Sequence, residues 1–414
     1  MSARSTAEVV RGRSQAPVRP AAKRKTSPRA KPLQFEGNLI VLVTTALVLF
    51  GLVMVYSATS GSAVLGHGNP QGYVEKQALF ACLGLVALFV LSRLDLGKLR
   101  ALAPTLLVTA AILCLGVLAV GSRINGARRW VAVGPLAFQP SEFAKLALVV
   151  WVAAYLSRRS APRSLGQLAK PVGIVALAFA GLVLAEPDLG TALVITLVVG
   201  ALLLVAGTRT SLLVTAYGLV ISLAAVFAWS SPYRRDRLLT FLDPWKDPTG
   251  AGLQNVQALI SLGAGGWFGN GLGQGTATRG YLPEAPTDMM AAVIGGQFGL
   301  VGMMLVLLAF CVFGYAGIRL ALACKDPFAK LLAAGITALV CGQAAINIAA
   351  VVGAAPLTGI PLPFLSYGGS SLIVLLGSVG VLLNIARNGG RAAAAVPDRG
   401  RGDGRTRRAR TRGR

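Results

Sequence analysis

Ten apolar runs, each close to the length that a bilayer demands, leave this chain little choice of fold. They lie near 38–58, 76–92, 101–121, 142–157, 171–186, 188–206, 210–229, 289–315, 329–353 and 368–386. A helix rises about 1.5 Å per residue and the hydrocarbon core is about 30 Å thick, so about 20 apolar residues cross it. Inside hydrocarbon every backbone N–H and C=O needs a protein partner, which a helix supplies within one segment. Hydrophobic residues make up 54% of the chain and charged ones 13%, a balance far from that of soluble enzymes. These features predict an all-α polytopic membrane protein of about ten transmembrane helices. A long extracytoplasmic loop, 230–286, would join helices 7 and 8.

Much of the formal net charge of +25 sits at the ends. Residues 1–37 carry nine Lys/Arg against Glu8 and Glu36, and residues 387–414 carry ten Arg against Asp398 and Asp403, together +15. Both stretches are rich in Ala, Gly, Pro, Ser and Arg and lack hydrophobic periodicity, so they read as disordered basic tails flanking one membrane domain, 38–386. No aromatic residue is interleaved with their cations as base stacking would need, which argues against nucleic acid and for contact with anionic membrane lipid. The N-terminal basic region is too long for a cleaved signal peptide. An even number of spans puts both termini on one side. With the tails cytoplasmic, the short inside loops hold eleven Lys/Arg and the short outside loops four, as the positive-inside rule requires.

Five cysteines fall within or beside apolar segments without CxxC spacing, as small core residues do. His67, in a Gly/Asn/Pro loop, is the single histidine, which excludes His-based catalytic pairs and multi-His metal sites. Acid–base chemistry therefore falls to carboxylates. No metal-ligand spacing exists; a divalent cation such as Mg2+ or Mn2+ is an open cofactor that the sequence does not identify.

Three acidic residues open helices running from outside to inside: Glu142 after Ser141, Asp188 after Pro187, and Asp288 after Thr287. Helix capping explains any one of them alone. Set at one membrane depth, beside Arg128, Arg129, Arg234, Arg235 and Arg237, they describe an outward-facing polar cavity. Asp288 closes the Gly-rich 230–286 stretch at the mouth of a span, where an ionisable side chain is a functional candidate by default. Glu142 and Lys145 share a helix face as a structural ion pair, and Gln343 and Asn347 form an i, i+4 pair suited to interhelical hydrogen bonds. The stretch Ser366 to Ser371, which contains Ser370, resembles an anion-binding nest. Leu253, Val256, Leu259, Ile260 and Leu262 have roughly helical spacing, either as an amphipathic lid or as a platform for a lipid substrate.

A transporter would place its charges near the bilayer midplane, often on broken helices. Charges near the outer surface fit group transfer from a lipid diphosphate better. The leaving diphosphate needs cationic neutralisation, and an attacking sugar hydroxyl needs a general base. Asp288 is the candidate base. Arg128, Arg129, Arg234, Arg235, Arg237, Asp188 and Ser370 are the candidate substrate-binding residues.

Several motifs carry a resemblance. They are Asn125-Gly126-Ala127-Arg128-Arg129-Trp130, Phe138-Gln139-Pro140-Ser141-Glu142-Phe143-Ala144-Lys145 and Glu186-Pro187-Asp188-Leu189-Gly190-Thr191-Ala192. Further on come Phe241-Leu242-Asp243-Pro244-Trp245, Gly271-Leu272-Gly273, Tyr281-Leu282-Pro283-Glu284-Ala285-Pro286-Thr287-Asp288, and Pro361 to Ser371. Over about residues 38–388 the chain resembles the SEDS family (shape, elongation, division and sporulation), and its FtsW-type division branch more than its RodA-type elongation branch. The resemblance implies a ten-helix peptidoglycan glycosyltransferase that polymerises lipid II into β-1,4 glycan on the outer face, inverting the donor carbon and releasing undecaprenyl diphosphate. Asp288 matches the Asp of the family's Thr-Asp motif, and Glu142 and Lys145 match a family pair. The implied partners are a class B penicillin-binding transpeptidase and other divisome proteins, in the cytoplasmic membrane at the septum. An elongation-type polymerase, a lipid II flippase and a non-catalytic scaffold are the competing expectations. Three positions depart from the family pattern: Pro286 replaces His, Met289-Met290-Ala291 replaces Phe-Ile-Phe, and Gly296-Gln297-Phe298 replaces Glu-Glu-Leu.

Overall fold

A computed structural model describes residues 33–64, 69–124, 127–133, 136–229, 240–250, 252–274 and 282–388. Nearly all of both basic tails, together with His67, Arg234, Arg235, Arg237 and Tyr281, lie outside the described residues. Each of the ten apolar runs carries a helix: α1 Gln34–Val64, α2 Pro70–Leu91, α3 Leu96–Val120, α4 Pro140–Leu156 and α5 Ile174–Ala185 come first. After them come α6 Leu189–Val205, α7 Thr210–Trp229, α8 Leu253–Gly265, α9 Met290–Ala323, α10 Pro327–Val351 and α11 Gly369–Asn388. The extra helix, α8, lies where the 253–262 spacing predicts one. Among the described residues seven helical segments are long and apolar enough to cross a membrane. Of the other three predicted spans, α4 and α6 have 17 residues each and α7 has 20. All five cysteines are free.

Local chemistry starts these helices where the sequence suggests. Asn69, Asp95, Asp188 and Asp326 each accept a backbone N–H of the following turn, and Pro70 and Pro327 occupy the first helical position. Each such cap contributes about 1 kcal/mol. Packing then sorts the helices into a centre and a rim. In α11, 94% of the apolar window is buried, against 22% in α2 and α3. Small residues let the backbones of neighbouring segments approach, as in other membrane helix pairs. A Cβ added to Gly380 would lie 2.3 Å from the Leu88 carbonyl oxygen, and one added to Gly51 would lie 2.5 Å from that of Phe364. The rim instead exposes Leu85, Val86 and Phe89 of α2 and Val108, Ile112 and Leu115 of α3. Such a surface is tenable only against lipid or a partner.

Two features depart from the sequence reading. The connection before α4 is a small antiparallel sheet, β1 Ser122–Ile124, β2 Ala127–Val133 and β3 Leu136–Phe138, in the order β1-β2-β3. More consequentially, the run read as a single span at 289–315 is broken at Gly299, whose φ of 65° and ψ of −159° are open to glycine alone. The peptide groups freed by the break pair with the chain that follows α8. Leu300 N donates to Gly266 O (2.9 Å) and Val301 N to Trp267 O (3.1 Å). In return Asn270 N donates to Gly296 O (3.1 Å) and Gly271 N to Gln297 O (3.0 Å). Ser57 of α1 joins the junction, donating to Gln297 Oε1 (2.9 Å) and accepting from Gly273 N (3.2 Å). Residues 266–273 of the 230–286 loop are therefore docked on α9 and α1. Hydropathy could not show this, because the partners come from about thirty residues upstream.

Candidate active site

Two amides on α10 link two of the acidic helix starts, those at Glu142 and Asp288. At the base of the site Lys145 Nζ donates to Glu142 Oε1 (2.9 Å) and to Gln343 Oε1 (2.7 Å). Gln343 Nε2 in turn donates to Pro361 O (2.9 Å). One turn on, Asn347 Nδ2 donates to both Asp288 O and Ile360 O, each at 2.8 Å. Glu142, Lys145, Gln343 and Asn347 are all buried. The ion pair expected of Glu142 and Lys145 is present. So is the bonding role expected of Gln343 and Asn347, which join α10 to α4 and to the turns at Asp288 and Pro361.

Asp288 ends a tight turn that delivers the chain to α9. Thr287 N and Met289 N donate to Glu284 O at 3.1 and 3.3 Å, and Tyr367 N pins the turn from outside by donating to Pro286 O (2.7 Å). Thr287 Oγ1 lies 2.9 Å from Glu284 Oε2 and 3.3 Å from Asp288 Oδ1, so its one proton can serve either carboxylate. Opposite the carboxyl stands Gly359, where an added Cβ would lie 3.9 Å from Asp288 Oδ2. Asp288 is half-buried. Burial, and then the Glu284 carboxylate, push its pKa up to about 7. A carboxyl poised there takes and returns protons at neutral pH.

The other predicted site residues among the described ones hydrogen-bond within the protein. Asp188 caps α6 through Thr191 N (3.0 Å) and Thr191 Oγ1 (2.8 Å), and also accepts from Gln139 Nε2 (3.1 Å). Ser370 Oγ accepts from Gln139 N (3.2 Å), and Ser366 Oγ accepts from Leu362 N (2.9 Å). Gln77 of α2 bonds Ser366 O and Gly368 N, so part of the nest-like stretch is already occupied by protein. Arg128 donates to Leu118 O and Ala119 O at the end of α3, each at 3.2 Å. Arg129 Nε donates to Glu186 O (2.8 Å) and its Nη2 to Pro187 O. Both arginines thus bind carbonyls at helix ends, where a cation also complements the dipole.

Glu186 was not singled out from the sequence. It is fully buried, beside Cys114 and Asp188. Its place two residues before a helix-capping Asp was the available signal. As to metals, no group of three or more His, Cys, Asp or Glu among the described residues could hold one. Glu284, Thr287 and Asp288 supply two carboxylates and a hydroxyl. That set suits a Mg2+ completed by waters and phosphates rather than enclosed by protein.

Comparison with known proteins follows the same outline. The profile of the cell cycle protein family that takes in FtsW, RodA and SpoVE matches residues 37–390. Stage V sporulation protein E of Bacillus subtilis (strain 168) is 39% identical over 355 residues, covering 84% of this chain and 96% of that protein. A protein of Trichlorobacter lovleyi named as a probable peptidoglycan glycosyltransferase FtsW is 38% identical over 351 residues, 84% of this chain and 92% of its own. Among solved structures, a chain from a peptidoglycan synthase complex that coordinates polymerization and crosslinking superposes with a TM-score of 0.72. It is 32% identical and covers 84% of this chain and 97% of that one. A match this long, with relatives this similar across nearly their whole length, makes the chain a member of the FtsW/RodA/SpoVE (SEDS) family.

Proposed function

We infer that this protein is a peptidoglycan glycosyltransferase, polymerising lipid II into β-1,4-linked glycan and releasing undecaprenyl diphosphate. The observation that carries the chemistry is Asp288: a half-buried carboxyl at a helix mouth, its turn pinned by Tyr367 and Asn347, with a pKa of about 7. In this reading Asp288 takes the proton of the acceptor 4-hydroxyl as the new glycosidic bond forms. The donor carbon inverts and the diphosphate departs with its electron pair. Arg128 and Arg129 are bonded to helix carbonyls, so Arg234, Arg235 and Arg237 are the cations we assign to the diphosphate. The charge balance of the loops supports cytoplasmic termini and a site on the outer face. The likeness to a chain of a polymerizing and crosslinking complex supports a class B penicillin-binding transpeptidase as partner. The FtsW names among the relatives support action with other divisome proteins at the septum.

The test is polymerisation of purified lipid II by the full chain co-expressed with its transpeptidase, wild type against Asp288→Asn. Loss of a general base costs about 10²- to 10⁴-fold in rate. Long glycan from wild type alone is expected; equal product from both variants moves the base elsewhere. One observation favours a second reading: the break in α9 is the kind of interruption that transporters use. A lipid II flippase would move substrate across vesicles and make no glycan. Against this, the peptide groups at the break are occupied by residues 266–271.

A further inference from the structure

We propose that Asn347 is a positioning residue for the reaction, holding Asp288 in register with the wall that faces its carboxyl. The proposal rests on the reading of Asp288 as the base. Asn347 has two amide hydrogens, and both are in use on different segments: one on Asp288 O, the other on Ile360 O. Those segments flank a single feature, the Asp288 carboxyl and the bare Cα of Gly359 opposite it. One side chain therefore sets the distance between the carboxylate and its facing wall.

A purely stabilising interhelical amide would not need this arrangement. One acceptor anywhere on a neighbouring helix would suffice, and both of its polar atoms would be satisfied. Here Asn347 Oδ1 is buried without a partner among the described residues, a cost that a stability role alone does not account for. Nor is the clamp isolated. One turn away Gln343 holds Pro361 O, the carbonyl after Ile360, and is itself held by Lys145. The same helix thus fixes both sides of the Asp288–Gly359 gap, with the buried Glu142–Lys145 pair as its anchor.

The experiment compares wild type, Asn347→Ala, Asn347→Asp and Asp288→Asn as full chains co-purified with the transpeptidase. Lipid II polymerisation is followed across pH, with kcat and KM separated. Asn347→Asp keeps the shape but places an acceptor against two carbonyls, so it tests the donor without opening a cavity. Both Asn347 variants are expected to lose kcat by about 10- to 100-fold, the scale of a misplaced catalytic group, with KM within about twofold. Unchanged kcat, or a loss carried by KM, overturns the proposal, provided Asp288→Asn is inactive. If Asp288→Asn polymerises like wild type, the reading of the base has failed instead, and this inference with it.

Discussion

At the residue scale the site depends on how much water each charge retains. Asp288 is only half-buried, yet its carboxyl titrates near 7 because burial and the neighbouring Glu284 both disfavour the anion. Two outcomes follow. A base must be deprotonated to act, so the polymerisation rate should rise with pH through about 7, and a rate profile across pH 5 to 9 checks it. The linkage runs the other way for stability. The folded state holds its proton to higher pH than the unfolded chain, so the Asp288 contribution is complete at low pH and is lost as pH rises to about 7. Asp288→Asn should therefore melt above wild type at pH 8, by a smaller margin at pH 5, and level with it only below about pH 4, where an unfolded Asp keeps its proton. Lys145 behaves differently, because its partners are buried with it. Lys145→Ala leaves Glu142 charged and unpaired and should cost about 3–5 kcal/mol. Replacing both residues by Leu and Met should recover much of that loss, read from melting of the detergent-solubilised protein.

Among the elements, α9 is the one whose sequence and structure diverge most. Its apolar run is uninterrupted over 300–315, and nothing in its hydropathy marks a break. The clues were Gly295, Gly296 and Gly299, of which Gly296 falls in the Gly296-Gln297-Phe298 departure from the family pattern. In the structure Gln297 is buried against Ser57 and accepts its hydroxyl proton. A neutral amide suits that place better than an unpaired carboxylate. Gly299→Ala should be destabilising, because its Cβ would sit 2.5 Å from Gly269 N and its φ of 65° strains any side chain. About 1–3 kcal/mol is the cost of the backbone conformation alone. Release of residues 266–271 from α9 should accompany it. Faster labelling of a cysteine placed at Phe268 would show that release; an unchanged rate and melting point would mean that the junction does not depend on Gly299.

On the scale of the whole molecule, burial rather than hydrophobicity separates the helices. Leu382 of α11 is fully buried, whereas Leu115 of α3 is 54% exposed. Leu382→Ala should cost about 2–5 kcal/mol and Leu115→Ala far less, since its neighbours are lipid chains that can fill the space. Thermal melts of the two variants in one detergent give the comparison.

The spans, their order and the acid at the mouth of α9 were legible in the sequence, because bilayer thickness acts on each run separately and a charge among apolar residues is conspicuous. The capping of α6 by Asp188 and the pairing of Glu142 with Lys145 were legible for the same reason: their partners lie three residues away. Only the tertiary structure decided where the long-range polar bonds go. Arg128 and Arg129 went to helix-end carbonyls, Ser370 to Gln139, Gln297 to Ser57, and Asn347 to the Asp288 turn. Each of those groups had several partners open to it in the linear chain. Which one it took depended on the packing of helices drawn together by Gly51, Gly380 and their like, an arrangement that hydropathy, being local, cannot encode.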